Sequence, residues 1–158
     1  MRMSINAYDK AYENAISNFN KIINGNNAVA QNAYYHLAEC YLKLNEKPEA
    51  LNAFRNASQM TFKPDIQQDA WFNYAKLSYD IGNPYKDTPA VLLEFLERYP
   101  NSPNKNEIDA LIVSAYIFSK DFEGALIYLE TKKSSKEIAL FQKVSFYRGL
   151  QLFNEANF

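Results

Sequence analysis

The 158-residue sequence has one cysteine, one histidine, four glycines and six prolines. A lone cysteine, Cys40, excludes an internal disulfide and a cysteine zinc site. So few glycines and prolines argue against a turn-rich all-β fold. An excess of one charge is missing too: 17 Lys and Arg face 18 Asp and Glu, a formal charge of −1. That excludes a strongly cationic nucleic-acid binder of the usual kind. No apolar run approaches the ~18 residues that cross a bilayer, so direct membrane insertion is not expected. Met1, Arg2 and Met3 are followed by no apolar stretch of signal-peptide type. No Gly-rich phosphate loop, His-Glu zinc helix or EF-hand spacing occurs, so neither metal nor cofactor is expected.

What the chain has is apolar material. Hydrophobic residues make up 47%, with 12 Tyr and 11 Phe. A chain of this length buries roughly two-thirds of its unfolded surface, so a sizeable core and an ordered fold are expected.

That material is repeated. One segment runs Tyr34, Leu37, Ala38, Tyr41, then Ala50, Phe54, Ala57. Another runs Ile112, Val113, Tyr116, then Ala125, Leu129. The step from Leu37 to Ala50 equals that from Ile112 to Ala125. Between them lie Trp71, Tyr74 and Ala75, then Thr88, Leu92, Phe95 and a closing Tyr99-Pro100. The start supplies only a second half (Tyr12, Ala15, Phe19, Ile22), and the end only a first half around Arg148-Gly149 and Leu152.

Each unit reads as two amphipathic helices. Leu37, Tyr41 and Leu44 share one helical face, as do Ala50, Phe54 and Ala57. Asn45-Glu46-Lys47-Pro48 is a polar break with Pro48 placed for a first helical turn. Asp87-Thr88-Pro89 predicts a capping oxygen followed by Pro, and Ser134 to Glu137 a capping box opening the last helix. Gly25, Pro64, Gly82 and Pro100 are expected between helices. Small residues at Ala38, Ala50, Ala75 and Ala125 let helices approach closely. One pair cannot bury its whole apolar face, so pairs stack.

These residues resemble the tetratricopeptide repeat (TPR), a helix pair of about 34 residues. Tyr34 to Ala57 fits best: Tyr stands for the leading Trp and Ala38 for Gly, while Leu37, Tyr41, Ala50 and Phe54 are kept. Trp71 fits the leading aromatic, but Ser78 stands where Tyr is usual. The resemblance implies an all-α fold, a right-handed α-α superhelix of stacked antiparallel pairs. It divides the chain into a half repeat 1–25, repeats 28–62, 65–102 and 104–133, and a terminal half repeat 135–158. Phe95 to Ser102, and Gln142 to Asn154, also resemble the large many-repeat TPR proteins of Bacteroidetes-type bacteria. That resemblance implies a piece cut from a longer protein of the periplasm or cell envelope. The last helix carries Leu140, Phe141, Val144, Phe146, Tyr147, Leu150, Leu152 and Phe153. Its richness predicts self-association through the ends of the solenoid or an exposed apolar patch.

The function expected from this resemblance is a non-catalytic protein–protein interaction scaffold that binds a protein or peptide in a concave groove. Carried over position by position, the groove shows Asn32, Tyr35, Glu39 and Leu42, then Asp69, Phe72, Lys76 and Tyr79, then Glu107, Ala110, Ser114 and Ile117. Tyr35, Glu39, Phe72, Lys76 and Tyr79 are the expected contact residues; the alternative for several is packing against the next repeat. No Lys/Arg/Asn clamp recurs on these positions, so a chaperone-tail carboxylate is not the expected ligand. The rival reading is a structural spacer with a filled or polar inner face. An enzyme is not expected: His36, beside Glu39, reads as a surface or groove residue and Cys40 as a small buried hydrophobe. Lys132, Lys133 and Lys136 read as a solvated basic helix end. RNA reading by helical pairs is disfavoured by the near-neutral charge.

Overall fold

The structure, a computed structural model, describes residues 5–132 and 135–156. Among the described residues all regular structure is helical: α1 (Ile5–Phe19), α2 (Ala28–Lys43), α3 (Lys47–Gln59), α4 (Pro64–Ile81), α5 (Thr88–Arg98), α6 (Lys105–Phe118), α7 (Phe122–Glu130) and α8 (Ser135–Ala156). The chain divides into two compact units, Met1–Pro100 and Asn101–Phe158.

The helix ends follow from identifiable residues. Asn27 has extended backbone and its Oδ1 accepts the Ala30 N–H at 2.9 Å, an N-cap for α2. At the other end Asn45 takes a left-handed φ of 59°. There the Glu46 N–H donates to Tyr41 O at 2.8 Å and the Asn45 N–H to Leu42 O at 3.1 Å. This paired closure satisfies carbonyls that a helix end leaves orphaned. The α6 end repeats it: Lys120 has φ 60°, with Asp121 N–H to Tyr116 O at 2.9 Å and Lys120 N–H to Ile117 O at 3.0 Å. Asp121 then caps α7, accepting from the Gly124 N–H at 2.9 Å.

Three local expectations are corrected. Asp87 stands at the N-cap of α5, but its side chain makes no capping bond. Instead the neighbouring Thr88 hydroxyl donates to Ser78 O at 3.0 Å, tying the start of α5 to α4. Pro64 lies not between helices but at the first position of α4, where its missing N–H costs nothing. The basic spot near 132 is not wholly solvated: Lys132 Nζ pairs with Asp109 at 2.8 Å and lies over the Tyr128 ring. The proposed capping Ser134, and Lys133, lie outside the described residues.

In the first unit each helix packs on the next, and α2 also touches α4. The three-residue connection between α2 and α3 makes them an antiparallel hairpin. Ala38, Ala50 and Ala75 are completely buried, with Leu51, Phe54, Leu92 and Phe95 filling the space around such close approaches. Burying a side chain of this size contributes ~1.5–3 kcal/mol. In the second unit α7 packs on α6 and α8 around Val113, Ala125, Leu129 and Val144. Leu140 and Phe141 of α8 add to that core, while Ile138, Phe146, Leu150, Leu152 and Phe153 stay exposed.

Candidate functional site

Stacking turns α2 and α4, the first helices of successive pairs, into neighbours. A set of polar bonds fixes their register. Gln31 is fully buried on α2. Its Nε2 donates to Met60 O at 2.6 Å and lies within reach of Ala57 O (3.2 Å) and Lys63 O (3.4 Å). Its Oε1 accepts the Lys63 N–H at 2.7 Å. One side chain therefore supplies partners to the α3–α4 connection, whose backbone would otherwise be left wanting.

Four residues further along α2, the Tyr35 hydroxyl donates to the carboxylate of Asp69 on α4, 34 positions away. Asn73 Nδ2 steadies that carboxylate at 3.1 Å and also donates to Asp69 O at 2.9 Å. Burial, then the hydrogen bond and negative charge of Asp69, push the Tyr35 phenol well above its ordinary range, so it serves as a donor. Its ring meets Phe54 edge-on at 5.6 Å.

The expected groove residues fall on this surface in different states. Tyr35 and Phe72 are half-buried, whereas Glu39, Lys76 and Tyr79 are exposed. Tyr35 and Asp69 are joined directly. Phe72 tilts against Phe95 at 5.9 Å, and Lys76 Nζ sits 5.1 Å from the Phe72 ring centre. Glu39 is held 2.8 Å from Nδ1 of His36, whose ring stacks on Phe19. Tyr79 keeps 39% of its surface and Leu42 keeps 37%. Asn32 and Asp69 are half-buried. In the second unit Glu107, Ala110 and Ser114 are exposed, while Ile117 packs against the local core.

Glu39 and His36 also border an open hollow of about 430 Å³ between α1 and α2, floored by Tyr12, Ala15, Phe19 and Cys40. Burial raises the Cys40 thiol above its ordinary range, and Glu39 adds to this. That keeps it a thiol rather than the reactive thiolate. Among the described residues no three His, Cys, Asp or Glu side chains gather to hold a metal ion. None of the described helices is long and apolar enough to cross a membrane.

Sequence reasoning missed the polar residues that hold the repeats together. Gln31 reads as one more polar helix residue, and only its position on the buried stripe one turn before Tyr34 and Tyr35 could have marked it. Asn83 is a second such hub: its Nδ2 donates to Tyr74 Oη at 2.9 Å and Ser78 Oγ at 2.7 Å, and its Oδ1 accepts the Tyr85 N–H at 2.8 Å. Here Ser78, which departs from the repeat pattern, has a use.

Hairpins of antiparallel helices packed in chain order, with first helix touching first helix, define a TPR-like α-solenoid class of fold. A family model described as tetratricopeptide repeat matches residues 32–58, which spans most of α2 and α3 and supports a TPR protein. A search of curated proteins finds no match.

Proposed function

We propose that this chain is a non-catalytic protein–protein interaction scaffold whose α2/α4 surface receives a partner segment. TPR repeats generally mediate protein–protein interaction. The observation that carries the reading is the Tyr35–Asp69 bond between successive first helices. It fixes the surface before any partner arrives, which lowers the ordering cost of binding. Tyr79 supplies exposed amphipathic area, and Glu39 and Lys76 set its polarity. Affinity capture from the native cell identifies the partner; calorimetry with it then tests Tyr79→Ala and Lys76→Glu. The expected result is at least about tenfold weaker binding with helicity intact. Unchanged affinity refutes the groove. Phe72 is left out because its packing on Phe95 would confuse stability with binding.

One observation favours the spacer reading instead. Tyr35, Asp69 and Asn73 satisfy one another, and Phe72 is half-buried, so part of the face is already filled. Under that reading no captured protein depends on Tyr79 or Lys76.

The repeat division 28–62, 65–102 and 104–133, with half repeats at 1–25 and 135–158, belongs to the same proposal, as does origin in a longer Bacteroidetes-type envelope protein. Phe146, Leu150 and Phe153 recur at three-to-four spacing and are exposed, with exposed Ile138 about two turns before them, the stripe through which we expect self-association. Light scattering on a concentrated sample should exceed monomer mass; a strict monomer overturns this part.

A further inference from the structure

A second cleft lies on the first unit and shares no residue with the α2/α4 surface. It opens between α3, the middle of α4, the loop after Gly82, and α5, and has a volume of about 240 Å³. Its lining carries three cations, Arg55, Lys86 and Arg98, against a single carboxylate, Glu94. The chain as a whole is slightly acidic, so this is a local concentration of positive charge.

The three cations are not equivalent. Arg98 grips Glu94 through Nε at 3.0 Å and a terminal nitrogen at 2.8 Å, and lies over the Trp71 ring at 4.9 Å. Lys86 holds the other oxygen of Glu94 at 2.7 Å. Glu94 is thus fully committed. Arg55 is different. Its guanidinium lies 4.3 Å from the centre of the Tyr85 ring, and it forms no ion pair or side-chain hydrogen bond with the described residues. A planar fork of donors held on an aromatic face is the arrangement that grips a carboxylate through two parallel bonds.

The support beneath Arg55 is built in advance. The Tyr85 hydroxyl donates to Asn52 Oδ1 at 2.6 Å, which ties the loop to α3. Asn83 holds the backbone N–H groups of Tyr85 and Lys86 from the other side. The loop therefore presents Tyr85, and through it Arg55, without rearrangement.

We propose that this cleft binds an acidic peptide segment, with an Asp or Glu carboxylate seated on Arg55 and the adjoining chain lying along the exposed Lys86 and Arg98. The binding is a plain ionic capture, sensitive to salt because the cleft is open to solvent. It adds a second recognition surface, separate from the groove reading.

Trp71 is the sole tryptophan and lines the cleft, so its emission reports occupancy without a label. The full chain is titrated with an octaglutamate peptide at low salt. A saturable change in Trp71 emission is expected, abolished by high salt and absent with octalysine. Arg55→Gln should weaken it at least about tenfold, whereas Tyr79→Ala, on the other surface, should leave it unchanged. Because Arg55→Gln could disturb the Tyr85 stack, Arg55→Lys is run beside it. Lys keeps the charge but loses the fork, so binding between that of wild type and that of Gln is expected. Equal titrations for wild type and Arg55→Gln, no saturation with octaglutamate, or capture of a phosphoserine peptide with none of the acidic one each overturn the assignment.

Discussion

Gln31→Met is the substitution that best tests how successive helix pairs are coupled. Methionine matches glutamine in length and flexibility, so the buried volume at position 31 is nearly kept. What disappears is the amide. The wild-type side chain makes two short bonds, to Met60 O at 2.6 Å and from the Lys63 N–H at 2.7 Å, and shares its second hydrogen between two longer contacts. Each buried group left without a partner costs ~1–3 kcal/mol. Lys63 is exposed as a residue, so water recovers part of its loss. The sum is about 3 kcal/mol. For a chain of this size, that lowers the melting temperature by roughly 6–12 °C. Circular dichroism at 222 nm during urea and thermal unfolding measures it, with the exposed Lys43→Gln as a control expected within about 0.5 kcal/mol of wild type. A loss below about 1 kcal/mol for Gln31→Met, with native helicity, would refute the claim that this amide ties α2 to the α3–α4 connection.

Alkaline stability follows from Tyr35 and Tyr128. Both phenols are raised above the ordinary value near 10, first by burial and then by the aspartate each donates to, Asp69 and Asp109. Their contribution is whole below pH ~10 and falls as pH climbs beyond it, because the unfolded chain releases those protons first. Urea midpoints between pH 8 and 11.5 should therefore decline above 10, and less steeply in a Tyr35→Phe, Tyr128→Phe double variant. Gly82→Ala should cost ~1–3 kcal/mol by urea unfolding: φ 80° with ψ 170° is a conformation that only glycine adopts readily, although space for the methyl exists. Gly124→Ala fails for the opposite reason. Its Cβ would come 2.6 Å from Asp121 Oδ2 and 2.7 Å from Tyr116 Cε1, so the α7 cap must shift, at an expected loss of ~1–2 kcal/mol read by the same assay.

Apolar periodicity made the helical content legible, because burial selects side chains of one kind at fixed intervals. Ala38, Ala50, Ala75 and Ala125 stood out as small residues among large ones, and all four are fully buried. Polar partners carry no comparable signature. Only the line of the buried stripe distinguishes Gln31 from Asn32, and nothing in the sequence says that Asp87 makes no cap while Thr88 bonds to Ser78. The cleft at Arg55 was illegible for a related reason: its cations come from three segments, and no spacing along the chain brings Arg55, Lys86 and Arg98 into one pattern. The candidate groove was reachable only through the likeness to a known repeat, since exposure at Tyr79 and half-burial at Tyr35 look alike in a sequence.

The repeat length itself reappears in the bonds between pairs. Gln31 reaches Lys63, Tyr35 reaches Asp69, Lys47 reaches Asp80 and Asn52 reaches Tyr85, separations of 32, 34, 33 and 33. Such offsets arise when one pair is a translated copy of the last, so a residue meets the counterpart of a near neighbour. They differ in worth. Lys47 and Asp80 are exposed, and such a pair contributes ~0–1 kcal/mol and weakens with salt. Gln31 is fully buried and Tyr35 half-buried, so their bonds form in a lower dielectric and salt scarcely screens them. The buried polar bonds between pairs therefore run from α2 to α4 and the connection before it, beside the apolar packing of α3 on α4. That same line of contacts sets the surface on which Glu39, Lys76 and Tyr79 stand, so loosening it should blunt any recognition there before helicity is lost.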